Sequence, residues 1–215
     1  MKQIYKIFFV FTLFFIGCDE KKIDSTILSK GSQMSQEAID LANNLDKESY
    51  KDLADLFLDT SEIDFSKEVF VIFGKNQCKY CDMLKDEIKK NPALQDTLKT
   101  HFNPYYINIS YNKTHNFISQ DSNADSTAKA TDSAKNAEST QNSTKQISTE
   151  NLAHIFGVSS TPMIAFLDKN MKVKYIYPGF SLQIQEMLNS VISSKEAMGD
   201  YKSIDKQIAA IKGSK

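Results

Sequence analysis

The chain has 215 residues and a formal net charge of -1, enough for one domain with extensions or at most two small ones. All 26 basic residues are lysine, so the bidentate fork that arginine offers to phosphate and guanine is missing. With no basic excess either, composition argues against nucleic acid as a partner.

In chain order, Lys2 and Lys6 precede a run from Ile7 to Ile16 that is apolar except for Thr12. At about 1.5 Å per residue such a helix covers roughly half of a ~30 Å hydrocarbon core, too little for an ordinary span and right for a secretory signal peptide over 1–17. The ending Phe15-Ile16-Gly17-Cys18 resembles a bacterial lipobox, although Phe15 stands where leucine is usual. That resemblance implies that Cys18 is lipidated and begins the mature chain, with 18–35 as a polar tether. Asp19 after such a cysteine favours retention at the inner membrane, facing the periplasm. From 36 to 61 Ala38, Ile39, Ala42, Leu45, Leu53, Leu56 and Phe57 recur at helical spacing and predict a helical extension.

Glu68–Phe73 (EVFVIF) predicts a buried strand, and Cys78-Lys79-Tyr80-Cys81 follows it. Met83, Leu84 and Ile88 lie at helical spacing, so the cysteines open a helix. Asn91-Pro92 marks a kink or restart, Leu94 and Leu98 carry a second helix to Phe102, and YYINIS (105–110) predicts another strand. From Ser119 to Gln146 no apolar residue larger than alanine occurs, which predicts a disordered insertion within one domain. A linker between two domains is the alternative. Ser148 is placed to cap a helix ending at Gly157, after which Thr161-Pro162 leads into MIAFL, a turn at 168–170, VKYIY and Pro178-Gly179. Leu182 to Ile192 and Ile204 to Ile211 predict two closing helices, the second a tail over 201–215. The order is that of an α/β domain over 62–200 with one sheet.

Cys78 and Cys81 form the pair on which the chemistry turns. In disulfide exchange the thiolate attacks, and unpaired N–H groups at a helix start favour negative charge on Cys78. Exposed Lys75 and Lys79 add a screened positive field. Cys81, one turn along, is placed to attack a mixed disulfide at Cys78. Half a zinc site and a structural staple are the other roles open to such a pair. Zinc needs a second pair of ligands, and His101, His115 and His154 are scattered. A staple across so short a loop stabilises little. The residues favour redox exchange, with no metal or other cofactor.

The run VFVIFGKNQCKYC, the segment Gly157-Val158-Ser159-Ser160-Thr161-Pro162 and the later Tyr177-Pro178-Gly179-Phe180 together resemble the thioredoxin fold. The likeness is to its exported branch with a C-x-Y-C site, which includes SoxW-type thioredoxins and the catalytic domain of bacterial disulfide isomerases. It covers about 62–110 and 147–195. It implies a central mixed β-sheet flanked by helices and a cis bond at Thr161-Pro162 facing the cysteines. It also implies that Cys78 attacks, Cys81 resolves, and Thr161 with Pro162 bind the substrate strand. A disulfide-containing protein would be the substrate and a membrane thiol–electron transporter the reductant. Two departures stand out: Ile72 occupies the position where thioredoxin keeps a buried acid, and there is no tryptophan before the motif. The expected activity is a membrane-anchored thiol–disulfide oxidoreductase, a reductase rather than an oxidase. A copper-type metal-binding lipoprotein and a non-catalytic interaction lipoprotein are the rivals.

Overall fold

The strand β2 (Glu68–Gly74) is buried along its whole length but for its first residue, as expected of a continuous apolar run covered on both faces. In the computed structural model, which describes residues 36–118 and 145–213, it is the centre of the architecture. The stretches read as signal peptide and lipidated tether, Cys18 included, lie outside the described residues, as does the polar insertion up to 144.

β2 pairs in parallel with β3 (Phe102–Asn108) and antiparallel with β6 (Met163–Leu167), and β6 pairs antiparallel with β7 (Val173–Pro178), giving the order β3-β2-β6-β7. The two-residue period of β2 divides the core. Phe70 and Ile72 face one cluster with Leu84, Ile88, Leu94, Leu98, Leu188 and Val191, which come from α2 (Lys79–Lys90), α3 (Pro92–His101) and α5 (Ile184–Ser193). Val69, Val71 and Phe73 face the other with Ile63, Phe117, Ile147, Leu152, Phe156 and Ile208. These come from β1 (Glu62–Asp64), β4 (Thr114–Ile118), β5 (Lys145–Ser148), α4 (Thr149–Ile155) with its C-cap Phe156, and α6 (Lys202–Gly213).

The expectation of a single sheet is corrected here. β1, β4 and β5 form a second, three-stranded sheet in the order β1-β4-β5 that closes one face of the first. These strands are three to five residues long. β4 buries only His115 and Phe117, so polar neighbours hide its alternation. Lys145 and Gln146, read as the end of the polar insertion, are the first residues of β5 and pair with Phe117 and Asn116. YYINIS also starts too late: β3 begins at Phe102, where α3 has just ended.

Helix boundaries follow the local chemistry. Asn91 ends α2 and caps α3, its Oδ1 accepting from Leu94 N–H at 3.1 Å with Pro92 in the first turn. Ser148 Oγ caps α4 by accepting from Asn151 N–H at 3.2 Å, and Gly157 takes the left-handed turn beyond it at φ 62°.

Both edges of the four-stranded sheet are occupied. On β3, the Leu58 N–H donates to Pro104 O at 2.9 Å and the Asn108 N–H to Asp46 Oδ1 at 3.1 Å. Both partners come from the N-terminal segment containing α1 (Gln36–Glu48). On β7, Val173 N–H donates to Asp205 Oδ1 at 2.7 Å, Ile176 N–H to the Tyr201 hydroxyl at 3.1 Å, and Met198 N–H to Lys174 O at 2.7 Å.

Candidate active site

β2 ends at Gly74, and the three residues after it carry the chain to Cys78 at the mouth of α2. Gly74 has a reason to be glycine, since a Cβ there would meet the hydroxyl and Cζ of Tyr106 on β3. Gln77 adopts φ 54°, in the left-handed region, and turns the chain into the helix. Cys78 is the N-cap, and its Sγ accepts from the Cys81 N–H at 3.2 Å. A sulfur there receives one of the orphan N–H groups and the positive end of the helix dipole, both of which favour a thiolate.

Cys78 and Cys81 form a disulfide with Cα atoms 5.2 Å apart. Cys78 is 6% exposed and Cys81 1%, so the N-cap residue is the more accessible of two buried ones, and the second lies with Leu84 and Ile88 on the inner face of α2. Opposite lies the Thr161-Pro162 segment, with a cis peptide bond. The Thr161 hydroxyl and carbonyl oxygen are each 3.5 Å from Cys78 Sγ. The hydroxyl can donate to the sulfur, and a reduced Cys78 thiol can donate to the carbonyl. Pro162 is buried, and its carbonyl accepts from Gly179 N–H at 2.8 Å, which brings the turn before α5 alongside. The four residues expected to share a site thus lie together.

Charge around the pair is mixed. Lys75 and Lys79 are exposed as expected, whereas Asp82 in the first turn of α2 was not foreseen as a neighbour of the pair. Lys85 Nζ offsets it at 3.0 Å and also donates to Ser49 O at 2.8 Å, tying α2 to the N-terminal segment. The same ammonium lies 5.5 Å from the centre of the Tyr106 ring. Burial, with Asp82 and Asp46 adding negative charge nearby, pushes the Tyr106 phenol well above its usual range. Ile72 is fully buried and apolar, so this position offers the pair no carboxylate to take up or release a proton.

A polar cluster missed in the sequence lies beside the site. Asp46 on α1 is fully buried, accepting from the Thr60 hydroxyl at 2.6 Å and pairing with Lys113 Nζ at 3.2 Å. His115 is buried next to it, with Nδ1 2.6 Å from Thr60 O and Nε2 2.9 Å from Thr149 Oγ1. A carbonyl only accepts, so Nδ1 carries the hydrogen and Nε2 accepts from the hydroxyl. Burial is the main reason the ring is held neutral, its pKa lowered to about 4; Lys113 adds to this and the bond to Thr60 opposes it. His101 and His154 are exposed. No group of three or more His, Cys, Asp or Glu among the described residues could hold a metal ion.

A family model described as a thioredoxin-like domain matches residues 64–191. The chain belongs to the thioredoxin-like family. A thioredoxin-fold protein from Helicobacter pylori is 33% identical, the match covering 77% of this chain and 95% of that one, with a TM-score of 0.55. A thioredoxin from Thermus thermophilus is 14% identical over 60% and 74% of the two chains, with a TM-score of 0.38. A disulphide isomerase from Xylella fastidiosa Temecula1 is 14% identical over 85% and 94%, with a TM-score of 0.29. No curated protein sequence matches the chain. A thioredoxin-like fold carrying a CxxC disulfide supports thiol–disulfide redox activity.

Proposed function

We propose that this chain is a periplasm-facing, membrane-anchored oxidoreductase that reduces disulfides of protein substrates. The observation that carries the redox part is the Cys78 sulfur at the helix N-terminus, under a Cys81 N–H and across from Thr161. In the reduced enzyme the Cys78 thiolate attacks one sulfur of a substrate disulfide. An S–S bond forms between them, the substrate bond breaks, and its other sulfur leaves as a thiolate that takes up a proton. The Cys81 thiol then loses its proton and attacks Cys78 Sγ, releasing the second substrate sulfur and closing the Cys78–Cys81 disulfide. Two electrons pass to the substrate, and a dithiol donor of the membrane returns them.

The surroundings fit a polypeptide. Tyr80, between the two cysteines, is 57% exposed and Met83, two residues after Cys81 on the same helix, 38%, apolar area that folding has left uncovered. The Thr161 backbone beside Cys78 offers main-chain pairing to an extended segment. From 119 to 146 the sequence holds no apolar residue larger than alanine, unlike the apolar-faced helices that an oxidase of the DsbA type inserts at a comparable place, which favours the reductase direction.

Substrate trapping tests the roles. Cys81→Ser should accumulate mixed disulfides with client proteins, and Cys78→Ser few. Equal trapping by the two variants would overturn the assignment. Insulin reduction should be lost in Cys78→Ser, and the dithiol should equilibrate nearer to thioredoxin than to a strong oxidant against glutathione. For the anchor, protein extracted from membranes should have an intact mass that starts at Cys18 with added lipid. An unmodified chain beginning at Met1 would remove the anchor from the proposal.

A further inference from the structure

The loop ahead of Cys78 is tied to the buried polar cluster by a chain of amide groups. Asn76 Nδ2 donates to the Tyr111 hydroxyl at 2.8 Å, its Oδ1 accepts from Asn108 Nδ2 at 2.8 Å, and its main-chain N–H donates to Ser110 Oγ at 2.9 Å. Asn108, at the end of β3, is 2% exposed. Its Oδ1 accepts from Ser110 N–H at 3.0 Å, and its own N–H reaches Asp46 Oδ1 at 3.1 Å. Asp46 is held in turn by Thr60 and Lys113.

This chain of bonds ends where the backbone is least comfortable. Gln77 sits between Asn76 and the N-cap at φ 54°, a conformation in which a side chain crowds its own carbonyl. A residue persists there when its surroundings over-determine it. On one side Gln77 is followed by Cys78, fixed by the cap bond to the Cys81 N–H. On the other it follows Asn76, which is exposed and immobilised by the bonds just described. If Asn76 is released, Gln77 can relax, and Cys78 Sγ leaves its place over the helix terminus.

We infer that Asn76 and Asn108 are positioning residues of the dithiol site: their amide pair holds the left-handed turn that sets Cys78 Sγ on the Cys81 N–H, and the Asp46–Lys113 pair holds Asn108. The inference rests on the reading of Cys78 as the attacking thiol. It assigns the two asparagines no contact with substrate; they act through the loop.

The test uses the reduced full chain, with Asn76→Ala, Asn108→Ala and the double variant beside the parent. Iodoacetamide alkylation of Cys78 is followed across pH by peptide mass, together with the glutathione equilibrium and the thermal unfolding midpoint. Asn76→Ala should raise the alkylation pKa of Cys78 by about one unit, a roughly tenfold fall in thiolate below that pKa. The equilibrium should move several-fold toward the disulfide, because the reduced form loses thiolate stabilisation. Asn76 is exposed, so its unfolding midpoint should stay close to the parent's. The double variant should go no further than the stronger single one, as expected of two groups acting through one bond. An unmoved Cys78 pKa in Asn76→Ala overturns the inference even if the midpoint falls, and so do additive effects in the double variant. A parent protein in which Cys81 alkylates at lower pH than Cys78 overturns the reading of Cys78 itself, and with it the inference. The two failures are therefore told apart by the parent alone.

Discussion

Replacing His115 by asparagine should flatten the acid sensitivity of folding. The imidazole is enclosed between Thr60 and Thr149, and its pKa falls from the usual 6.5 to about 4. As pH drops below about 6.5 the unfolded chain binds a proton at this ring while the folded chain refuses it, so stability is full above that pH and is lost on the way down to 4. For pKa values of 6.5 and about 4, the loss relative to neutral pH is about 2 kcal/mol at pH 5 and about 3 kcal/mol at pH 4. Asparagine keeps a donor for Thr60 O and has no charge to gain. His115→Asn should therefore be less stable at pH 7, through the smaller side chain and the lost bond from the Thr149 hydroxyl, yet lose about 2 kcal/mol less between pH 7 and pH 5. Urea unfolding of both proteins at the two pH values measures this, and the carboxylates common to both cancel in the difference. Parallel pH dependences would refute the reasoning and show that the ring takes up its proton in the folded state without penalty.

Gly74→Ala should destabilise by about 1–3 kcal/mol as the new methyl displaces Tyr106, and adding Tyr106→Phe should return part of that, read by thermal unfolding. Lys113→Met leaves the fully buried Asp46 without its cation and should cost about 3–5 kcal/mol in urea unfolding; Asp46→Asn in the same chain should recover some of it. Joining Ile118 to Lys145 by a short turn in place of 119–144 should preserve cooperative unfolding and insulin reduction. It should add on the order of 1–2 kcal/mol through the shorter loop between the paired strands β4 and β5, and a broadened transition would refute it.

The parts that were legible in the sequence are those where one physical signal dominates. EVFVIF is a strand because every side chain after Glu68 meets a core, and Leu84 and Ile88 mark a helix because the spacing leaves no other common face. Cys78 and Cys81 announce themselves by chemistry, and Thr161 and Pro162 by the family they resemble. Asp46 and Lys113 did not stand out, because a buried ion pair reads as two surface residues until the fold brings them within 3.2 Å. The strand at 114–118 stayed hidden because it buries a histidine where an apolar residue would have signalled it. Asn76 and Asn108 gave no signal at all, since a hydrogen bond between two amides so far apart in sequence leaves no periodicity.

An open sheet margin recruits extended strands of other chains. Here the Asp46 carboxylate and the Leu58 N–H fill places along β3, and the 198–205 segment supplies a carboxylate, a phenol and an amide along β7. Such occupation denies an incoming strand a continuous ladder. On the reading proposed above, an extended polypeptide is left the Thr161 segment beside Cys78 rather than the sheet margins. The two flanking segments, which carry neither cysteine of the pair, keep the sheet from becoming a template for other strands.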